Sequence, residues 1–182
     1  MKEIDHNFLP NQYRSNNELP INHNYLPQQF EDSEEVIDEI RKLVVRGDFT
    51  LGEAVNELEE EFKIITNSKY AIGVGSGTDA LFLSLKALGV KEGDEVITTP
   101  YTFYATIGAI VTAGATPKFV DIGEDYNINA NLIEDAISSK TKAIVPVHWS
   151  GLICDMDSIR AIADRHNLFI VEDACHAINA KR

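Results

Sequence analysis

Cysteine is scarce in this chain of 182 residues. Cys154 and Cys175 are too few for a disulfide framework and have no zinc-ligand spacing. The five histidines are dispersed, with no pair at helical metal-ligand spacing, so no metal site is expected. No apolar run approaches the ~20 residues a membrane span needs. The N-terminus, MKEIDHNFLPNQY, lacks the apolar core of a signal peptide, and a cytoplasmic location is expected. Positive charge is also in deficit: 16 Lys and Arg face 29 Asp and Glu, a formal net charge of −13. That balance argues against nucleic acid or an anionic membrane as partner. Any anionic substrate must be drawn by local donors, because the global field repels it. No internal repeat and no low-complexity segment is seen. What is present is an apolar content of 44%, enough for a domain with a real core.

Residues 1–31 are polar, rich in Asn and punctuated by Pro10, Pro20 and Pro27, and read as an extended arm. The domain proper is expected over 32–182. Asp32 followed by Glu35 resembles a capping box, and Val36, Ile37, Ile40, Leu43 and Val44 form one helical face closed by Gly47. A second helix is expected from about Glu53 to Ile65, with Val55, Leu58, Phe62 and Ile65 inward and a solvated acidic outer face. From Lys69 the pattern becomes regular. Strands are expected at Tyr70–Val74, Glu95–Thr99, Pro117–Asp121, Ala143–Val147 and Phe169–Glu172. Helices are expected between them at Thr78–Leu88, Phe103–Ala113, Ala130–Ser138 and Met156–His166, with Gly89, Gly114 and Asn167 at their ends. Strict alternation of short apolar strands with helices predicts an α/β fold, a mainly parallel sheet covered on both faces.

In such sheets ligands gather beyond the carboxyl ends of the strands. The first of these ends is the stretch YAIGVGSGTDALFLSLKALG, a buried strand, a glycine turn and a helix. Glycines let the backbone approach a ligand, and the unpaired amides of a helix start suit a phosphate. Ser76 and Thr78 add hydroxyls. A packing turn without ligand is the alternative reading of this stretch alone. A Rossmann site fits poorly, because Gly73-x-Gly75-x-Gly77 departs from G-x-G-x-x-G and the second strand ends in Thr98-Thr99 rather than an acid. A hydrolase elbow fails because Ser76 stands one place late for G-x-S-x-G. The fifth strand ends in Glu172-Asp173. Taken alone, that Asp is a helix or turn cap. Paired with a phosphate-type turn at the same sheet edge, it suggests a cofactor with both a phosphate and a cationic ring nitrogen, as in pyridoxal 5′-phosphate (PLP). Phe103 either stacks on the ring or packs in the core.

Six segments together, GDFTLGEAVNELEEEF, GVGSGTDALFLSLKALGV, GDEVITTPYTFYATIGAIVTAGATPKFVDI, TKAIVPVHWSG, DMDSI and VEDACHA, resemble the DegT–DnrJ–StrS family of PLP-dependent sugar aminotransferases. The resemblance runs from about Asn24 to Ala180. It implies the N-terminal portion of a type I aminotransferase large domain. Gly77 and Thr78, with Ser76, take the place of the phosphate cradle, Phe103 that of the aromatic on the pyridine ring, and Asp173 that of the carboxylate at the ring nitrogen. His176 stands where family members have Gln or His near the phenolic oxygen, and His148 belongs to the P-V-H loop as a substrate-side candidate. The resemblance further implies amino transfer, usually from glutamate, to a nucleotide-linked keto sugar in polysaccharide or O-antigen synthesis, by homodimers. The family's Schiff-base lysine lies in an F-S-F-x-x-x-K type segment after the next strand, and is expected beyond Arg182. No catalytic residue is therefore expected among these 182, and Lys181 reads as a solvated side chain. The first strand of the type I sheet pairs with strands later than the fifth, so Tyr70–Val74 is expected to lack ladder neighbours and expose apolar faces. Two further readings stand beside this one: a non-catalytic half that pairs with another subunit or a complementing C-terminal chain, and a sugar 3-dehydratase, in which His replaces the lysine.

Overall fold

A computed structural model of the chain describes residues 26–181. The expected arm therefore lies outside the described residues as far as residue 25, and its last part holds a one-turn helix, α1 (Leu26–Gln29). The chain divides into two compact units, residues 1–57 and 58–182.

Helices α2 (Glu34–Arg46) and α3 (Glu53–Thr66) form where the apolar periodicity predicts them. Gly47 closes α2 at φ 70°, in the left-handed region that glycine adopts without strain. Two expectations fail here. The capping box does not form, because Ser33 is the N-cap and its side chain makes no cap bond. The predicted inward faces are not buried either: neither helix has a buried residue, and Val36, Ile40, Val44, Leu58 and Ile65 are all exposed. The apolar periodicity is present in both helices, and full burial is reached in neither.

The second unit is built on a four-stranded parallel sheet in the order β2-β1-β3-β4, with β1 Glu95–Thr98, β2 Thr116–Phe119, β3 Thr141–Ile144 and β4 Phe169–Ile170. Val96 pairs with Ala143 and Ile97 with Ile144, so alternate residues of the two central strands face opposite ways. Val96, Ala143 and Val145 pack with Leu81, Leu85, Ala109 and Ile110 from α4 (Gly77–Ala87) and α5 (Tyr104–Thr112). Ile97 and Ile144 pack with Ile133 of α6 (Ala130–Ala136) and Ile159 and Ile162 of α7 (Met156–His166). Both faces are covered, which is why Val96 and Ile97 of β1, and the run from Ala143 of β3 to Val147 beyond it, are apolar without alternation. Pro117 is tolerated because β2 is an edge strand.

The segment Tyr70–Val74 is a correction to the strand assignment. It has no ladder, so the sheet has four strands rather than five, and Tyr70 and Ile72 are 70% and 79% exposed. The missing pairing is what the resemblance implied for this segment. Gly89, Gly114 and Asn167 close their helices at positive φ (78°, 97° and 52°), as predicted.

Candidate active site

The carboxyl ends of the strands and the start of α4 enclose a cavity of about 270 Å³. Gly77, Thr78, Phe103, His148, Asp173 and His176 all line it, from four separate stretches of the chain. Ser76 does not.

Ser76 caps α4. Its backbone is extended, its Oγ accepts from the Asp79 amide at 3.1 Å, and its hydroxyl donates to Asp79 Oδ2 at 3.0 Å. The Ser76 hydroxyl is thus engaged with Asp79, and the first-turn amides of Gly77 and Thr78, which have no intrahelical acceptor, stand at the cavity wall. Space at Gly77 is tight: a Cβ there would lie 3.1 Å from Cys175 Sγ, which would have to give by a few tenths of an ångström.

Asp173 is positioned by backbone on both sides. Its amide donates to Pro146 O at 2.9 Å and its carbonyl accepts from the His148 amide at 3.1 Å, a parallel bridge with Val147 that prolongs the β3–β4 pairing beyond the strands. The side chain is only 7% exposed. Its Oδ2 accepts from Thr106 Oγ1 at 2.7 Å, and its Oδ1 accepts a long bond from the Cys175 amide at 3.4 Å. Thr102 Oγ1 lies 2.8 Å from Thr106 Oγ1. Since the Thr106 proton is committed to the carboxylate, Thr102 is the donor of that pair. A carboxylate held this way in a cavity wall is built for a cationic partner.

His148 is 1% exposed and both ring nitrogens are engaged: Nδ1 accepts from the Cys154 amide at 3.2 Å, and Nε2 lies 2.9 Å from Glu172 Oε2. The Cys154 contact makes Nδ1 the acceptor, so Nε2 carries the proton and donates to Glu172. That bond holds the Glu172 carboxyl below its usual range, against the opposing effect of partial burial. The substrate-side candidate is thus a ring bonded into the frame of the cavity wall. Trp149, next in sequence, sits edge-on to His176 at 5.7 Å between centroids and tilted against Tyr101 at 4.6 Å. Phe103 is 62% exposed at the cavity and rests against Tyr104 rather than in the core. Among the described residues, no group of three His, Cys, Asp or Glu could hold a metal ion.

At the end of the chain, Lys181 is exposed, in keeping with a solvated side chain. Arg182 lies outside the described residues.

Sequence reasoning reached Thr102, Trp149 and Cys175 only as members of the clusters Pro100–Phe103, His148–Ser150 and Asp173–His176 beyond the strand ends, and did not reach Thr106. Thr106 lies in the first turn of α5 and Thr102 just before it, and nothing in the sequence links them to Asp173.

The profile of the DegT/DnrJ/EryC1/StrS aminotransferase family matches residues 31–182. The chain belongs to that family. Among curated relatives, it is 47% identical over 146 residues to the spore coat polysaccharide biosynthesis protein SpsC of Bacillus subtilis, covering 80% of this chain and 38% of SpsC. Among solved structures, NtdA of Bacillus subtilis with bound cofactor PMP superposes with a TM-score of 0.87 at 34% identity, over 98% of this chain and 42% of NtdA. DesV of S. venezuelae, solved in complex with a ketimine intermediate, gives a TM-score of 0.83 at 38% identity, over 87% and 44% of the two chains. The chain thus spans about two fifths of the length of these relatives, and its fold is the corresponding part of the type I aminotransferase fold.

Proposed function

We propose that this chain carries the cofactor-cradling half of a PLP-dependent sugar aminotransferase. The observation that carries the reading is Asp173: a buried, doubly anchored carboxylate in the same cavity wall as the first amides of α4. PLP, when bound, supplies an electron sink that is effective while its ring nitrogen is protonated. Asp173 would hold that proton, and Thr106 would orient Asp173 toward it. The amides of Gly77 and Thr78, with the Thr78 hydroxyl, would receive the phosphate. Phe103 would cover one face of the ring, and His176 would stand near the phenolic oxygen. Trp149 and His148 would close the cavity wall against water.

The keto sugar carried on a nucleotide, glutamate as amino donor and a cytoplasmic setting belong to this proposal, supported by family membership and by the polysaccharide role named for SpsC. So does a partner surface. The Tyr70–Val74 segment joins no ladder and exposes the side chains of Tyr70 and Ile72, with side chains rather than a strand holding the Tyr70 carbonyl and the Gly73 amide, which supports pairing with a strand from a later part of the protein, a second copy or a complementing chain.

Trp149 is the sole tryptophan and lies in the cavity wall, so PLP binding is read directly from its emission. Titration of the purified chain with PLP is expected to quench Trp149 saturably, and Asp173→Ala is expected to weaken the binding. Absence of saturable quenching would overturn the cofactor assignment. Amino transfer is tested by adding the C-terminal part of SpsC and supplying glutamate and a nucleotide-linked keto sugar.

A further inference from the structure

His148 stands between two cavities. It lines the one described above and a neighbouring one of about 300 Å³, which also holds Glu172, Phe62, Ile153 and Ile178. The Glu172 side chain lines the second cavity and not the first, and meets the wall between them at the imidazole.

A neutral imidazole has one N–H, and where it sits is decided by its partners. Glu172 Oε2 at 2.9 Å is an acceptor and takes the Nε2 proton, leaving the Nδ1 lone pair to receive the Cys154 amide. With the proton on Nδ1 instead, two N–H groups would face each other at the 3.2 Å Cys154 contact, inside a core where an unpaired donor is costly. The segment tied down by that amide bond is the tight turn Trp149–Gly151. The turn takes Ser150 into the left-handed region (φ 51°) and uses a glycine at Gly151 (φ 87°), where a Cβ would lie 3.0 Å from His176 O. Buried Asn127 holds its other side, accepting from the Trp149 amide at 3.0 Å and donating to Leu152 O at 3.1 Å. The turn carries Trp149 against His176, and the His148 amide fastens Asp173.

We infer that Glu172 is a positioning residue: by accepting from Nε2 of a ring whose tautomer the Cys154 amide selects, it holds the His148 ring in place and so sets the turn that places Trp149 and His176 and braces Asp173. This rests on the PLP reading only for its effect on cofactor affinity.

The experiment compares Glu172→Ala and Glu172→Gln with the unsubstituted chain, each checked for fold and Tm by circular dichroism. In the unsubstituted chain, nitrogen-15 NMR is expected to show His148 protonated at Nε2 and bare at Nδ1. In Glu172→Ala the tautomer is expected to stay, held by the Cys154 amide, while the Nε2–H loses its partner and its nitrogen-15 signal shifts, Trp149 emission shifts without any ligand, and PLP affinity falls about fivefold, the factor one hydrogen bond carries. Glu172→Gln, whose amide oxygen accepts from the same N–H, is expected to restore the emission and the affinity. The inference is overturned if Glu172→Ala keeps the parent emission, whatever its PLP affinity, or if Glu172→Gln is as damaged as Glu172→Ala. Should the unsubstituted chain bind no PLP, the proposed function fails, while the emission still decides the role of Glu172.

Discussion

Thr106 Oγ1 lies 2.7 Å from Asp173 Oδ2, although 67 residues separate them in the chain. The contact joins the first turn of α5 to the loop beyond β4, so a helix of one sheet face orients the acid that the fifth apolar run delivers. A helix residue, not a loop residue, holds the carboxylate, which suits a group that must keep one direction.

Thr106→Val keeps the shape and removes the donor. It leaves a buried carboxylate oxygen without its partner, a loss of about 1–3 kcal/mol that lowers Tm and weakens PLP binding. Thr106→Ser is expected to recover both. Thermal melts and Trp149 quenching check the pair, and a silent Thr106→Val would show that the bond does not orient Asp173.

Gly77→Ala places a methyl 3.1 Å from Cys175 Sγ, at the wall where the phosphate would sit. PLP affinity is expected to fall on the order of tenfold, as overpacking shifts the helix start. The double variant Gly77→Ala/Cys175→Ala removes the obstructing sulfur and is expected to regain most of the loss. Equal affinities of the single and double variants would place the defect elsewhere.

Ser76→Ala deletes the N-cap of α4 and is expected to cost about 1 kcal/mol of stability. Because the Ser76 side chain turns to Asp79 and not to the cavity, PLP affinity measured on the folded fraction is expected to stay close to that of the parent. A loss of affinity larger than the loss of stability would instead put the hydroxyl on the ligand.

Both thiols sit at about 11, above their ordinary value of 9.0: Cys154 mainly by burial, Cys175 by burial and then by the neighbouring Asp173. A thiol raised in the folded state favours folding fully below pH 9.0, and that contribution is lost as pH rises toward about 11. At pH 8 the folded Cys154 thiol has roughly a hundredfold less thiolate than an unfolded one, so iodoacetamide is expected to label this buried thiol slowly in the native chain and fast in the denatured chain. Rapid native labelling of Cys154 would contradict the environment described. In the opposite direction, the Glu172 carboxyl is lowered by its bond to His148. Its contribution is present above pH 4.5 and lost as pH falls through the lowered native value.

Much of this protein was legible in one dimension. Period-two and period-3.6 apolar patterns placed β1, β3 and all four helices of the second unit that follow α3, because both faces of a parallel sheet must be covered. Gly89, Gly114 and Asn167 marked helix ends because few residues adopt positive φ without strain. Motifs brought Gly77, Thr78, Phe103, His148, Asp173 and His176 forward as a set, since short motifs record residue types that a site needs. Only the tertiary structure decided what each of them touches. Whether Tyr70–Val74 is a strand depends on a neighbour, not on its own β-propensity, and the apolar faces of α2 and α3 show that periodicity announces a buried face without supplying its cover. Ser76 faces Asp79 rather than the cavity because a helix start satisfies its own amides first. Thr106 meets Asp173, and Glu172 meets His148, through contacts between segments 67 and 24 residues apart. Sequence spacing carries no record of such pairs, because they exist only once the sheet has brought its carboxyl ends together.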